Sequence, residues 1–289
     1  MTLETGQSNG TTEYSSQRSE PPKWTVDSVL KTLTHPPPTT PTTSPLPFMH
    51  MLTRLKSTKR EGWRRFKISY GESISDHMYR MSIITLLAPP ALRSRLDIGR
   101  CTRMALVHDM AELLVGDITP VDGVSKPEKM RRELETMEFL CNGGPSSGGL
   151  LSQVPGTGGE EIMALFQEYE DDKTAEAHFV HDVDKLELIL QMLEYEQLEE
   201  GKIDLGEFTH VAKRIVTPEV KAWTEDILEE RRKLWEETVG RVPKGLPWKD
   251  WSEEELKKEL KEETQKTLAG LKEYYGDLPK ENGEKVNRA

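Results

Sequence analysis

The chain has 289 residues, of which 35 % are hydrophobic and 31 % charged, and a formal net charge of −11. That length accommodates one large domain or two small ones, and the acidic balance disfavours a general nucleic-acid backbone binder. Cys101 and Cys141 form no CxxC pair and no disulfide framework, which suits a reducing compartment. The N-terminus, MTLETGQSNG, has no charged-then-apolar leader, and no apolar run approaches the roughly 20 residues needed to span a bilayer. The expectation is a cytoplasmic protein, with nuclear entry left open and no membrane partner.

Residues 1–45 are rich in Ser, Thr, Pro and Gln and end in HPPPTTPTTSPLP. Proline removes backbone donors there, and the few apolar residues cannot offset the entropy of ordering, so a disordered extension is predicted. Trp24, Val26, Val29 and Leu30 are read as a transient element, with a short docking helix as the alternative. From Phe48 the apolar residues Phe48, Met51, Leu52 and Leu55 recur at helical spacing, and Gly62 is the expected stop. The basic stretch KSTKREGWRRFK follows Leu55. Ser73 and Ser75 are candidate N-caps for a helix over 76–87, closed by Pro89-Pro90.

Asp97 opens a third predicted helix, 98–115, with Met104, Ala105, Val107, Ala111 and Leu114 on its apolar side and Gly116 ending it. A charged helix over 126–140 carries Pro127 in its first turn. The stretch NGGPSSGGLLSQVPGTGG makes 141–159 a flexible insertion with no fixed structure expected. A helix resumes over 160–169. Thr174 caps a longer one reaching about residue 200, with Phe179, Val183, Leu186, Leu190 and Leu193 in one stripe. Residues 218–239 form the last core helix, and 251–275 a Lys/Glu-rich helical segment of a charged tail, 241–289. With no strand or internal repeat evident, the predicted class is all-α, with one core domain over 46–240.

The segment with most chemistry is LVHDMAELLVGD, residues 106–117. On a continuous helix His108 and Glu112, at i and i+4, share a face. Asp109 is rotated by about 100° and approaches the same volume from the side. Burying Asp109 and Glu112 in so apolar a run costs much desolvation energy without a cation. Histidine and carboxylate are ligand types that divalent ions accept. His77, near the start of the preceding helix, reaches the pair if the two helices pack antiparallel. A later helix must supply the fourth ligand. Asp184 is the choice, although Asp171, Asp172 and Asp182 compete by position.

The segments GESISDHMYRM, LVHDMAELLVGDI and VDKLELILQMLEYE resemble those of the HD-domain metal phosphohydrolases, and within them the eukaryotic branch of the 5′-deoxynucleotidases. The resemblance covers Phe48 to Trp235. It implies an HD-domain helical bundle in which His77, His108, Asp109 and Asp184 hold one divalent metal ion, Co2+ or Mn2+, and a homodimeric assembly. The Gly-rich insertion and both terminal extensions lie outside that pattern. His178 and His181 do too, and they are read as surface residues of their helix, with a second metal ligand as the alternative.

A metal with an open position acidifies a bound water and polarises a phosphate oxygen. Glu112 is placed to move protons between nucleophile and leaving group. Asp117 either assists or serves as a turn residue binding backbone amides. The resemblance raises both as catalytic residues. A nucleoside 5′-monophosphate carries about two negative charges that an acidic chain must counter locally. Lys56, Lys59, Arg60, Arg64 and Arg65 offer that charge, with Lys126 and Arg131 behind them, and Trp63 offers a flat face for sugar or base. Arg60 and Trp63 are the leading substrate-binding candidates. The predicted activity is hydrolysis of deoxyribonucleoside 5′-monophosphates. A phosphodiesterase on other nucleotides and a non-catalytic nucleotide-binding adaptor are the alternatives.

Overall fold

The computed structural model describes residues 23–40, 42–142, 149–156, 158–241 and 243. Five short pieces come first: α1 (Val26–Leu30), α2 (Leu46–Met51), α3 (Thr53–Ser57), α4 (Glu61–Arg64) and, after the longer α5 (Ile74–Leu86), α6 (Pro90–Arg93). Then follow α7 (Ile98–Ala105), α8 (Glu112–Val115), α9 (Lys126–Cys141), α10 (Gly159–Asp171), α11 (Ala175–Leu198), a 3-10 helix (Gly206–Arg214) and α12 (Pro218–Thr238). Among the described residues there is no strand, only an isolated antiparallel bridge between Lys59 and Ser73. The all-α expectation therefore holds. No helix among the described residues is long and apolar enough to cross a membrane.

α11 is the central strut. It packs against α5, α7, α10, α12 and the 3-10 helix. It buries Val180, Val183, Leu186, Ile189 and Met192 on more than one face, as a helix surrounded by neighbours must. Thr174 caps it as predicted, accepting the Ala177 N–H at 3.1 Å. Ser73, rather than Ser75, caps α5, and Asp76 returns the bond in a capping box. The cap places His77 in the first turns of α5, facing α11.

α12 is pinned to α11 by charge. Arg231 is 0 % exposed and donates to Glu196 (2.8 Å) and Asp204 (2.9 Å), while the Trp235 indole N–H donates to Glu196 at 2.7 Å. At the other end, the Val216 and Thr217 N–H groups donate to Asp182 Oδ2 (3.0 and 2.7 Å).

Three expectations require correction. The predicted helix over 98–115 is broken, because residues 106–111 between α7 and α8 form turns with i to i−3 bonds, such as Met110 N–H to the Val107 carbonyl and Glu112 N–H to the Asp109 carbonyl. Part of the extension predicted as disordered, 1–45, docks: Thr25 caps α1, Val26 is buried against α9, and its N–H donates to Glu135 (3.0 Å). The apolar gain from Trp24 and Val26, together with Arg131 and Arg132 over the Trp24 ring, offsets the ordering cost. In the 141–159 insertion, Leu150 and Leu151 are buried, and their N–H groups donate to the Phe139 and Leu140 carbonyls. Residues 1–22, 143–148 and most of the 241–289 tail, including the predicted helix over 251–275, lie outside the described residues.

Candidate metal centre

Two imidazoles from different helices converge. The His77 and His108 rings lie 5.5 Å apart, centre to centre. Each has one nitrogen committed: His77 Nδ1 is 2.6 Å from Glu187 Oε2, and His108 Nδ1 is 3.0 Å from the Ala105 carbonyl. The second bond exists because the chain turns tightly after α7, bringing that carbonyl under the ring. Both Nε2 atoms are buried and make no hydrogen bond of acceptable geometry. Carboxylate oxygens nevertheless crowd them. Asp109 Oδ2 is 3.2 Å from His108 Nε2 and 3.8 Å from His77 Nε2, and Asp184 Oδ1 is 3.2 Å from His77 Nε2.

Two buried, unbonded imidazole nitrogens facing carboxylates are donor types that could hold a divalent cation. One donor atom each from His77, His108 and Asp109 lies within 4.8 Å of the others. Asp184 joins from the His77 side, its Oδ2 held by the Tyr169 hydroxyl at 3.2 Å. The competing aspartates are engaged elsewhere: Asp182 binds the backbone before α12, Asp171 faces Lys173, and Asp172 faces His178 and His181. A second group of possible donors, Glu72, His77 and Glu187, shares His77. Its carboxylates accept from Trp63 and Arg80, so it supports the first group rather than forming a separate one.

Burial alone would push the Asp109 and Asp184 carboxyls up, yet both lie well below the usual carboxylate range. The His108 imidazole does most of this for Asp109 and the His77 imidazole for Asp184, with Arg60 assisting. Glu112 is driven the other way. Burial pushes it well above the usual range, and Asp109 and Asp117 add to the shift, against the pull of Lys129 3.9 Å away. The neighbouring carboxyls are thus pushed in opposite directions, Asp109 and Asp184 down and Glu112 up, a separation typical of acid–base sites.

Arg60 crosses the mouth of the centre. Its Nη1 is 3.1 Å from Asp109 Oδ2 and 3.9 Å from Asp117 Oδ1, and its Nη2 is 4.0 Å from Asp184 Oδ1. Backbone bonds from Arg60 N–H to the Glu72 carbonyl (3.1 Å) and from Ile74 N–H to the Thr58 carbonyl (3.0 Å) tie this segment to the start of α5. Asp117 accepts the Glu61 N–H at 2.5 Å, so it fastens the first turn of α4 rather than its own turn.

Trp63 departs from expectation. Its indole is 1 % exposed, packed against Tyr195 and Phe208, and its N–H donates to Glu72 at 3.0 Å. A face so covered cannot stack on a sugar or base, and Trp63 instead braces the wall. His181, read as a surface residue, stacks on Tyr169 with ring centres 3.9 Å apart. Of the other basic candidates, Arg131 is bound to Glu128 and Glu135 on α9, and Arg64 pairs with Glu61. Arg65 pairs with Glu207 at the cavity rim.

The centre opens into a cavity of about 620 Å³, whose wall includes Lys126, Lys129, Tyr169, Lys185 and Arg214. That volume suits a small organic ligand. Lys129, Tyr169, Arg80 and Glu187 were missed in the sequence. Arg80 and Glu187 follow His77 and Asp184 by three positions, a spacing that marks them as neighbours on a helix face. Tyr169 and Lys129 have no such signal.

A bundle carrying this His/Asp constellation is that of an HD domain. The family model described as HD domain matches residues 52–224, and the chain belongs to that family. Among its relatives is the 5′-deoxynucleotidase hdd1 of Schizosaccharomyces pombe, 46 % identical over 191 residues, covering 66 % of this chain and 91 % of that protein. The human 5′-deoxynucleotidase HDDC2 is 38 % identical over 187 residues, covering 64 % and 85 %. The solved structure of HD domain-containing protein YGK1 matches with a TM-score of 0.50 at 35 % identity, covering 66 % of this chain and 87 % of that one. The PH0347 protein from Pyrococcus horikoshii OT3 matches with a TM-score of 0.51 at 28 % identity, covering 65 % and 99 %.

Proposed function

We infer that the chain is a metal-dependent 5′-deoxynucleotidase, hydrolysing deoxyribonucleoside 5′-monophosphates to deoxyribonucleosides and inorganic phosphate. The observation that carries this reading is the pair of unbonded Nε2 atoms of His77 and His108, set between Asp109 and Asp184, beside the buried carboxyl of Glu112. Relatives bearing the 5′-deoxynucleotidase name cover most of their own length with this chain.

His77, His108, Asp109 and Asp184 would hold the ion, which supplies Lewis acidity for water and for a phosphoryl oxygen. Co2+ or Mn2+ fits a mixed imidazole–carboxylate set. Arg60, already at the mouth, offers a planar fork for the phosphate and offsets its charge. Asp117 sets the height of Arg60 by fastening Glu61. Hydrolysis forms one bond from water oxygen to phosphorus and breaks the bond to the 5′ oxygen, which must take up a proton. Glu112, whose carboxyl burial pushes above the usual range, is the proposed donor of that proton and regains one from the attacking water, so the cycle closes. The cavity beyond receives the sugar and base. A homodimer is the proposed assembly, on the family resemblance. The free, buried Cys101 and Cys141 support a cytoplasmic setting.

The test is phosphate release from paired deoxyribo- and ribonucleoside 5′-monophosphates, after chelation and after add-back of Co2+ or Mn2+. Release restored by metal and faster on the deoxy series is expected. Equal turnover of ribonucleotides would refute the sugar preference. Nucleotide binding without phosphate release would favour the adaptor reading.

A further inference from the structure

His77 is held from behind by a chain of charges that the proposed reaction does not use. Its Nδ1 is 2.6 Å from Glu187 Oε2, and both side chains are buried. The other oxygen of that carboxylate, Oε1, receives Arg80 Nε (2.8 Å) and Nη2 (2.6 Å). Arg80 is anchored in turn by Glu194 Oε2 (2.6 Å) and Gln191 Oε1 (2.7 Å). The geometry repeats along both helices. His77 and Arg80 are three apart on α5, while Asp184, Glu187, Gln191 and Glu194 follow one another at three- and four-residue steps on α11.

Such a chain costs the fold the desolvation of Glu187 and part of Arg80. A hydrophobic contact between α5 and α11 would hold the helices without that cost. The arrangement does what a hydrophobic contact cannot. With Nδ1 facing a carboxylate, the ring has one permitted orientation. That orientation turns Nε2 toward Asp109 and Asp184, 3.8 Å and 3.2 Å away. His108 has only a neutral carbonyl behind it. The two imidazoles are therefore supported unequally.

We propose that Glu187, tethered by Arg80, is a positioning residue that fixes His77 for ligation and sets the affinity of the centre for its divalent ion. The inference rests on the metal-centre reading above and concerns which groups outside the ligand set control it. Loss of such a carboxylate typically weakens metal binding by about 10–100-fold.

The experiment is calorimetric titration of the metal-free full-length protein with Co2+ alone, together with its thermal unfolding in chelator. Wild type and His108→Ala establish the centre itself: strong binding by the first and its loss in the second are expected. If wild type fails to bind Co2+, the metal-centre reading falls, and with it this proposal. Given binding, Glu187→Ala should raise the Co2+ dissociation constant at least tenfold, with Glu187→Gln between it and wild type. Glu187→Gln keeps the shape and one acceptor oxygen, so it decides the matter if the alanine variant does not fold. Arg80→Met should raise the dissociation constant in the same direction. A purely structural role for Glu187 would lower the melting temperature in chelator and leave the Co2+ affinity of the folded protein within twofold of wild type, and that result would overturn the proposal.

Discussion

Arg60 Nη1 lies 3.1 Å from Asp109 Oδ2, so the side chain proposed to receive phosphate already rests on a proposed metal ligand. One guanidinium lies beside Asp109, Asp117 and Asp184 at once. Its positive charge offsets the acidic cluster, and an entering phosphate has a donor to recruit.

Replacing Arg60 tests that arrangement. Losing hydrogen bonds from a charged donor costs about 1.5–3 kcal/mol, or roughly 10–100-fold in kcat/KM. Arg60→Ala should show that loss mainly through KM, with metal content kept, because the carboxylates it leaves remain anionic. Arg60→Lys should recover part of it, since an ammonium supplies charge without the planar fork. Steady-state kinetics beside elemental analysis decide this. An unchanged KM removes Arg60 from substrate binding.

The ligand set predicts that metal and activity are lost together. His108→Ala and Asp109→Ala each remove a donor from the group that includes His77. Both variants should purify with little bound metal and release no phosphate above background. A variant with full metal and no turnover would move its residue from holding the ion to the chemistry.

Glu112 should behave in the opposite way. Its carboxyl is buried and held above the usual range beside Asp109 and Asp117. Glu112→Ala should retain metal while kcat falls by about 10²–10⁴-fold, the range typical of a lost general acid or base. Turnover equal to wild type would show that the leaving oxygen takes its proton from elsewhere.

The pH dependence of stability offers a check away from the reaction. Burial pushes the Glu133 carboxyl up to about 7, against the pull of Lys129. Between the pKa of an exposed glutamate and that value, the native state keeps a proton that the unfolded chain has released. Stability is therefore fullest below that window and falls as pH rises through it. Glu133→Gln should flatten this fall, by roughly 1–3 kcal/mol between pH 5 and pH 8 in urea unfolding of the metal-free protein. Parallel profiles for wild type and variant would contradict it.

Arg231 tests the other buried charge cluster. It is 0 % exposed and bound to Glu196 and Asp204. Arg231→Ala strands Glu196 in the core and should cost about 3–5 kcal/mol. Denaturant unfolding measures it, and a loss below 1 kcal/mol would mean that the core admits water there.

Periodicity carried far in this chain. Stripes such as Phe179, Val183 and Leu186 marked the helix that became the central strut, and the cap residues Ser73 and Thr174 marked where helices begin. Local signals failed where distant contacts intervened. Nothing near residue 106 announces that the helix gives way to turns over 106–111, where His108 and Asp109 come up to His77 of α5. Trp24 and Val26 are too few to order a proline-rich segment alone, and only the surface of α9 makes that order favourable.

The sequence by itself determined the helical class, the ligand types and the family resemblance, because apolar spacing and side-chain chemistry are written residue by residue. It left Asp184 competing with three neighbouring aspartates and offered Trp63 as an open surface. Only the tertiary structure decided that Asp184 meets His77 while Asp182 binds the backbone ahead of α12, and that Trp63 is covered by Tyr195 and Phe208. Direction and burial belong to the packing of whole helices, and one helix cannot specify what its neighbours place against it.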